Sequence, residues 1–284
     1  MDNPYFITFE LVAYALSALC FVHAFKKGTG NVLRLLAGII FGVLLELATI
    51  RQLHAYSYGT FPTMILDVPL CIGVSWGSIL YSAMEFSDAS SLPWLARPIL
   101  DGLLALNIDL AMDAIAIRLG MWDWGRGLDF QYFGVPYANF WAWFWVISSF
   151  SFGYRLLARR NDWTGTWLAP LLALITGLTW VLATNAFIVF VVPANLRNIV
   201  IGLAIFVALM TILYVRPRFY QKPVSAPAFW VPFVSHLYFL IAGAASGVIL
   251  EPPFLLFVSL LMFVTALSLH RPFVQATLKK IRVE

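Results

Sequence analysis

"VLRLLAGIIFGVLLELATI" (residues 32–50) is interrupted by only two charged residues, Arg34 near its start and Glu46 near its end. A helix needs about 20 mostly apolar residues to cross a bilayer, so the run reads as a membrane span. Gly38, Gly42 and Glu46 recur every four residues and share one helix face. Small residues at this spacing mark contact between helices rather than contact with lipid. Glu46 is therefore expected to point into a bundle.

Working outward, the same reading applies to runs at roughly 7–25, 64–83, 99–118, 138–156, 167–192, 196–215, 230–250 and 254–270. Hydrophobic residues make up 61% of the 284 and charged residues only 11%, with a mean hydropathy of +0.85. A soluble domain carries about 25% charged residues. The fold class expected is all-α: a polytopic transmembrane helical bundle of about nine spans, with eight as the alternative. No polar stretch is long enough for a second unit, so residues 1–284 read as a single integral membrane domain. The first run is not read as a signal peptide, because it contains Glu10, lacks a basic start and has Lys26 and Lys27 after it.

Lys and Arg flanking the spans set the orientation. With the N-terminus outside and the C-terminus inside, 14 of the 18 basic residues fall on the inner side, leaving Arg51, Arg118, Arg126 and Arg197 outside. The net charge of +4 is thus a topology signal at helix ends, and no nucleic-acid partner is expected. The implied setting is a prokaryotic cytoplasmic membrane, with the lipid bilayer as the partner. Cys20 and Cys71 lie in different runs, the four His are scattered, and no CxxC or HExxH occurs. Neither a structural disulfide nor a metal site is expected.

In this topology Glu10, Glu46, Asp67, Asp113, Asp123, Asp129 and Glu251 all lie in the outer half or in outer loops. Carboxylates inside a membrane usually face the protein interior or a wet cavity, so several at one depth point to a polar pocket near the outer face. Gly243, Gly247 and Glu251 repeat the spacing of Gly38, Gly42 and Glu46, and Asp109 and Asp113 share a face of span 4. Plainer roles stand beside these. Glu10 and Asp129 simply reach water, Asp109 bonds between helices, Asp123 caps a turn, and most of the eleven Trp anchor the bundle at the interface.

The connection "RLGMWDWGRGLDFQYFGVPYANFWAW" (118–143) holds three turn-permitting glycines, Gly120, Gly125 and Gly127, before "FGVPYAN" (133–139). It reads as an aromatic lid over the outer mouth, with Asn139 either capping span 5 or orienting water or a carboxylate. Asp113 with "RLGMWDW" (118–124) and "YFGVPYANFWAW" (132–143) resembles the carotenoid biosynthesis membrane-protein family that includes the bisanhydrobacterioruberin-type carotenoid hydratases. Glu46 with "YSYGT" (56–60) and "DVPLCIGVSW" (67–76) is similar to that family's first acidic helix end and Val-Pro segment. The likeness covers about residues 40–150. This chain departs at Ala114 and Gly73, where the family favours Pro, and at Asp67, where Gly is expected.

The resemblance implies a carotenoid hydratase that needs no cofactor, acting on a polyene that enters from the bilayer between helices. Hydrating a terminal isoprenoid double bond requires a proton donor, a tolerated tertiary carbocation and delivered water. Burial and a nearby like charge both keep a carboxylic acid protonated. Asp113 is the expected donor, Glu46 the partner that positions water, and Asp67 a third candidate catalytic carboxylate. Candidate substrate contacts are Asp109, Trp122, Trp124, Tyr132, Asn139, Trp143 and Glu251, the aromatic faces stabilising the cation by roughly 0.5–2 kcal/mol each. Arg51 pairing with Glu46 would argue against an acid role for Glu46. A membrane terpene or lycopene-type cyclase would use the same protonation, and a proton-coupled transporter is the alternative of another class.

Overall fold

The computed structural model describes residues 3–53, 55–160, 162–220 and 224–273. Among them lie nine α-helices: α1 (Pro4–Lys27), α2 (Thr29–Leu53), α3 (Leu70–Asp88), α4 (Arg97–Arg118), α5 (Tyr137–Ala158), α6 (Ala169–Ala186), α7 (Arg197–Val215), α8 (Ala226–Ser246) and α9 (Pro253–Leu269). Each falls on one of the nine apolar runs. Five helical stretches are long and apolar enough to cross a membrane: Pro4–Lys27, Thr29–Arg51, Thr164–Val191, Ala194–Val215 and Ala226–Ser246. The fold is an all-α bundle of membrane type.

Local chemistry sets the boundaries. The Asn3 side chain caps α1 by accepting from the Tyr5 amide, with Pro4 in the first turn. Gly28, at φ 108°, ends the helix with its own amide bonded to Ala24 and Phe25. The third run starts later than its hydropathy implies. Residues 64–69 form a tight hairpin of β2 (Met64–Ile65) and β3 (Val68–Pro69), and α3 begins only after Pro69. The eighth helix stops earlier, at Ser246, where Gly247 takes φ 80°. Glu251 is therefore not on the Gly243 face; it sits exposed in the α8–α9 connection.

The helices meet through small residues. A Cβ on Gly42 would lie 2.5 Å from Trp76 Cβ, and one on Gly38 would lie 3.1 Å from the Gly77 backbone. From the other side, a Cβ on Gly73 or Gly77 would meet Val43 or Ile39 at 2.4 Å. Two glycine pairs thus interlock α2 and α3 at backbone contact. Gly102 does the same for α4 against Phe144 and Ser148 of α5.

One end of the bundle is tied by charge. Arg34 of α2 donates to Glu85 of α3 at 2.6 Å, with Lys27 on the same carboxylate at 2.8 Å. Arg155 of α5 bonds Asp88 of α3 and Asp101 of α4, and Ser151 also donates to Asp101. These pairs satisfy charges that burial would otherwise make costly. Sequence reading passed over Glu85, Asp88 and Asp101, although opposite charges in neighbouring spans were there to be paired. Glu46 and Asp113 lie toward the other end of the same helices.

Candidate functional site

Glu46 is buried near the end of α2 and accepts three hydrogen bonds. Trp76 Nε1 of α3 donates at 2.7 Å, the Tyr58 hydroxyl at 2.8 Å, and the Tyr56 hydroxyl is also bonded to it. The Gly42–Trp76 contact one turn earlier fixes the indole beneath the carboxylate. Burial, and then the Glu46 carboxylate, hold the Tyr56 and Tyr58 phenols well above their ordinary range, so both stay hydroxyl donors. Arg51 is not part of this group. Five residues beyond Glu46, it points about 140° away around the helix and pairs instead with Asp67 at 2.7 Å, each side chain 53% exposed.

Asp109 and Asp113 stack one turn apart on α4, both buried. Asn139 of α5 donates its amide to Asp113 at 2.6 Å and to the two oxygens of Asp109 at 3.1 and 3.3 Å. Asn139 is not the helix cap: Pro136 holds that position in extended backbone and Asn139 lies inside the first turn, facing α4. Among the described residues no Lys, Arg or His forms an ion pair with Glu46, Asp109 or Asp113. Arg118, one turn beyond Asp113, spends its donors on the carbonyls of Ala114, Phe133, Leu128 and Glu251.

The connecting segments close over this end. β1 (Ser57–Tyr58) pairs antiparallel with β4 (Trp122–Asp123), setting Tyr58 opposite Trp122. Asp123 caps the following turn by accepting from Gly125 N at 2.8 Å. Below lies a cavity of about 600 Å³, lined by Glu46, Tyr56, Tyr58, Trp76, Asp113 and Asn139 together with Trp122, Trp124, Trp143 and a mostly apolar wall. Trp76 and Trp143 face each other with ring centroids 4.3 Å apart. The wall continues to Leu182 of α6 and to Val189 and Phe190 of the π-helical turn Phe187–Val191 that follows it, all well exposed on their outer sides.

The structure thus brings together Glu46, Asp113, Asn139, Trp122, Trp124 and Trp143, with Asp109 behind Asn139. It leaves out three expected residues. Asp67 is on the surface with Arg51, and Glu251 is exposed between α8 and α9. Tyr132 lies behind the wall, donating its hydroxyl to Leu110 O at 2.7 Å. Glu10 was expected to reach water but is buried, accepting from Tyr14 at 2.5 Å and from the Thr63 amide at 3.3 Å. Trp76, Trp122, Trp141 and Trp143 are buried in the protein rather than anchoring an interface. Sequence reading missed Tyr56, Tyr58 and Trp76 as partners of Glu46, although all three lie in the segments that carried the resemblance.

The family model described as carotenoid biosynthesis protein matches residues 3–211. The chain belongs to the carotenoid biosynthesis protein family. The match covers the carboxylates, Asn139 and the aromatic lining, while Val231, Ser235 and Phe239 of α8, which also line the cavity, lie beyond it. Membership supports a role in carotenoid biosynthesis, as an integral membrane enzyme of that pathway. No curated protein and no solved structure matches the chain.

Proposed function

We propose that this member of the family is a carotenoid hydratase, adding water across a terminal isoprenoid double bond without a cofactor. One observation carries the reading: two buried carboxyl groups, Glu46 and Asp113, line an aromatic-walled cavity, with Asp109 behind them on Asn139, and none of the three is ion-paired among the described residues. Two carboxyl groups bridged by one amide are a natural site for a shared proton, whereas three donors on Glu46 suit an ionised carboxylate.

In the reaction, the carboxylic acid of Asp113, backed by Asp109, gives its proton to the less substituted alkene carbon. The π electrons form that C–H bond and leave a tertiary cation at the neighbouring carbon. Trp76 and Trp143 line the same cavity, and an indole face turned to the cation would stabilise it. Water then attacks the cation and releases a proton to Glu46. Return of that proton to Asp113 through cavity water restores the site, so the net change is one water gained. The basic residues gathered at the opposite end support an outer-face location for the acids in a prokaryotic cytoplasmic membrane.

The test is the product mass when the chain is expressed in a lycopene-accumulating bacterium, beside Asp113→Asn. A gain of one or two waters, lost in the variant, is the expected result. An isomer of unchanged mass would mean that an internal alkene captures the cation, and the protein would be a cyclase.

A further inference from the structure

A second concavity of about 490 Å³ lies above the acid cavity, among the β1 and β4 loops. Its rim is Asp123, Gly125, Arg126, Gly127 and Leu128, all exposed, so it is a water-facing basin. The two spaces share Tyr58, Trp122 and Trp124 in their walls. On one side of these rings is solvent, and on the other are Glu46 and Asp113.

We propose that Tyr58, Trp122 and Trp124 form an aromatic partition that admits water from the basin to the acid-lined cavity, with Trp124 as its movable element. The proposal rests on the hydratase reading, which requires water to arrive by a route separate from the polyene. The three rings are held differently. Tyr58 is tied to Glu46 by its hydroxyl and Trp122 is buried; both also sit in the β1–β4 ladder. Trp124 lies beyond the ladder, in the turn that the Asp123 carboxylate closes on the Gly125 amide, and no ladder pairing fixes its ring. Its indole N–H is buried and has no hydrogen-bond partner among the described residues. Such a donor carries the cost of lost solvation, which a water passing between basin and cavity relieves. Tyr56 packs edge-on against Trp124, 4.6 Å away by ring centroids, and is itself bonded to Glu46. Water crossing at Trp124 therefore arrives beside the carboxylate that is to receive its proton.

The test places a thiol on the cavity side. Ser75 lines the cavity, and Ser75→Cys is nearly isosteric, whereas the native Cys20 and Cys71 are buried. In lipid nanodiscs a membrane-impermeant methanethiosulfonate can reach that thiol only from the aqueous side. Trp124→Ala is expected to raise the labelling rate about tenfold over Ser75→Cys alone, a barrier change of about 1.4 kcal/mol. Trp124→Leu keeps the wall apolar for folding and should give an intermediate rate. Labelling that neither substitution accelerates would overturn the partition. The readout needs no turnover, so it fails independently of the hydratase reading, which the product mass of wild type against Asp113→Asn decides.

Discussion

Gly42→Ala is the substitution through which packing should act most directly on chemistry. The new Cβ would lie 2.5 Å from Trp76 Cβ and 2.9 Å from its Cγ and Cδ1. Carbon atoms rest at about 3.5–4.0 Å, so α2 and α3 must separate locally by about 1 Å or the indole must turn. Either movement carries Trp76 Nε1 from 2.7 Å to beyond hydrogen-bond range of Glu46. Overpacking of this kind costs about 1–3 kcal/mol, and a misplacement near 1 Å can lower turnover by about 100-fold. The assay is polyene turnover together with the thermal midpoint of the purified protein, with Gly202→Ala as control. A Cβ at Gly202 meets nothing within 4 Å, so turnover should stay at wild type there and the thermal midpoint should not fall. Wild-type turnover in Gly42→Ala would refute the view that interlocked glycines position the carboxylate.

Removing Arg34 leaves Glu85 buried with half-exposed Lys27 and, at 3.9 Å, His23, so Arg34→Met should cost about 3–5 kcal/mol by thermal unfolding. Adding Glu85→Met should recover much of that loss. Asp67→Asn breaks only an exposed pair with Arg51, so its cost should stay below about 1 kcal/mol and turnover should not change. Burial and Glu46 raise the folded-state phenols of Tyr56 and Tyr58 above the unfolded value. Their neutral forms therefore contribute stability below the ordinary phenol range, and that contribution is lost as pH rises through the folded values. In an ultraviolet titration of the folded protein, Tyr56→Phe should remove no phenolate signal over the range where exposed tyrosines ionise.

The helices and two of the acids were readable in the sequence because a charge inside an apolar run stands out at any depth. Gly38 and Gly42 even gave the inward face of Glu46. What surrounds Glu46 was not readable, because Tyr56, Tyr58 and Trp76 reach it only after a loop folds back and two helices cross. Asn139 was readable both as a cap and as a partner of a carboxylate, because the residue types that cap helices are also those that bridge buried carboxylates; the structure shows the second. Glu10 was misread because its shelter comes from the backbone of Thr63, fifty-three residues on. Arg51 was the nearest cation to Glu46 along the chain, yet the helical turn sent it to Asp67. Asp67 and Glu251 show the converse error: both adjoin apolar runs, yet both lie in turns where backbone geometry turns them out to solvent.

The two-residue ladder between β1 and β4 carries a consequence for how sequences of this kind can diverge. Successive side chains in a strand face opposite ways, so a slip of one residue would turn Tyr58 and Trp122 outward together. Gly59 admits no repair, since a Cβ there would meet Phe6 at 2.7 Å and the Gly120 carbonyl at 2.8 Å. Single insertions or deletions between Glu46 and Tyr58, or between Asp113 and Trp122, should therefore be purged. Exposed positions outside the ladder, such as Arg126, should vary more freely in identity. Two loops far apart in the chain are in this way bound to a common ruler, and the spacing of their aromatic residues is inherited as one character.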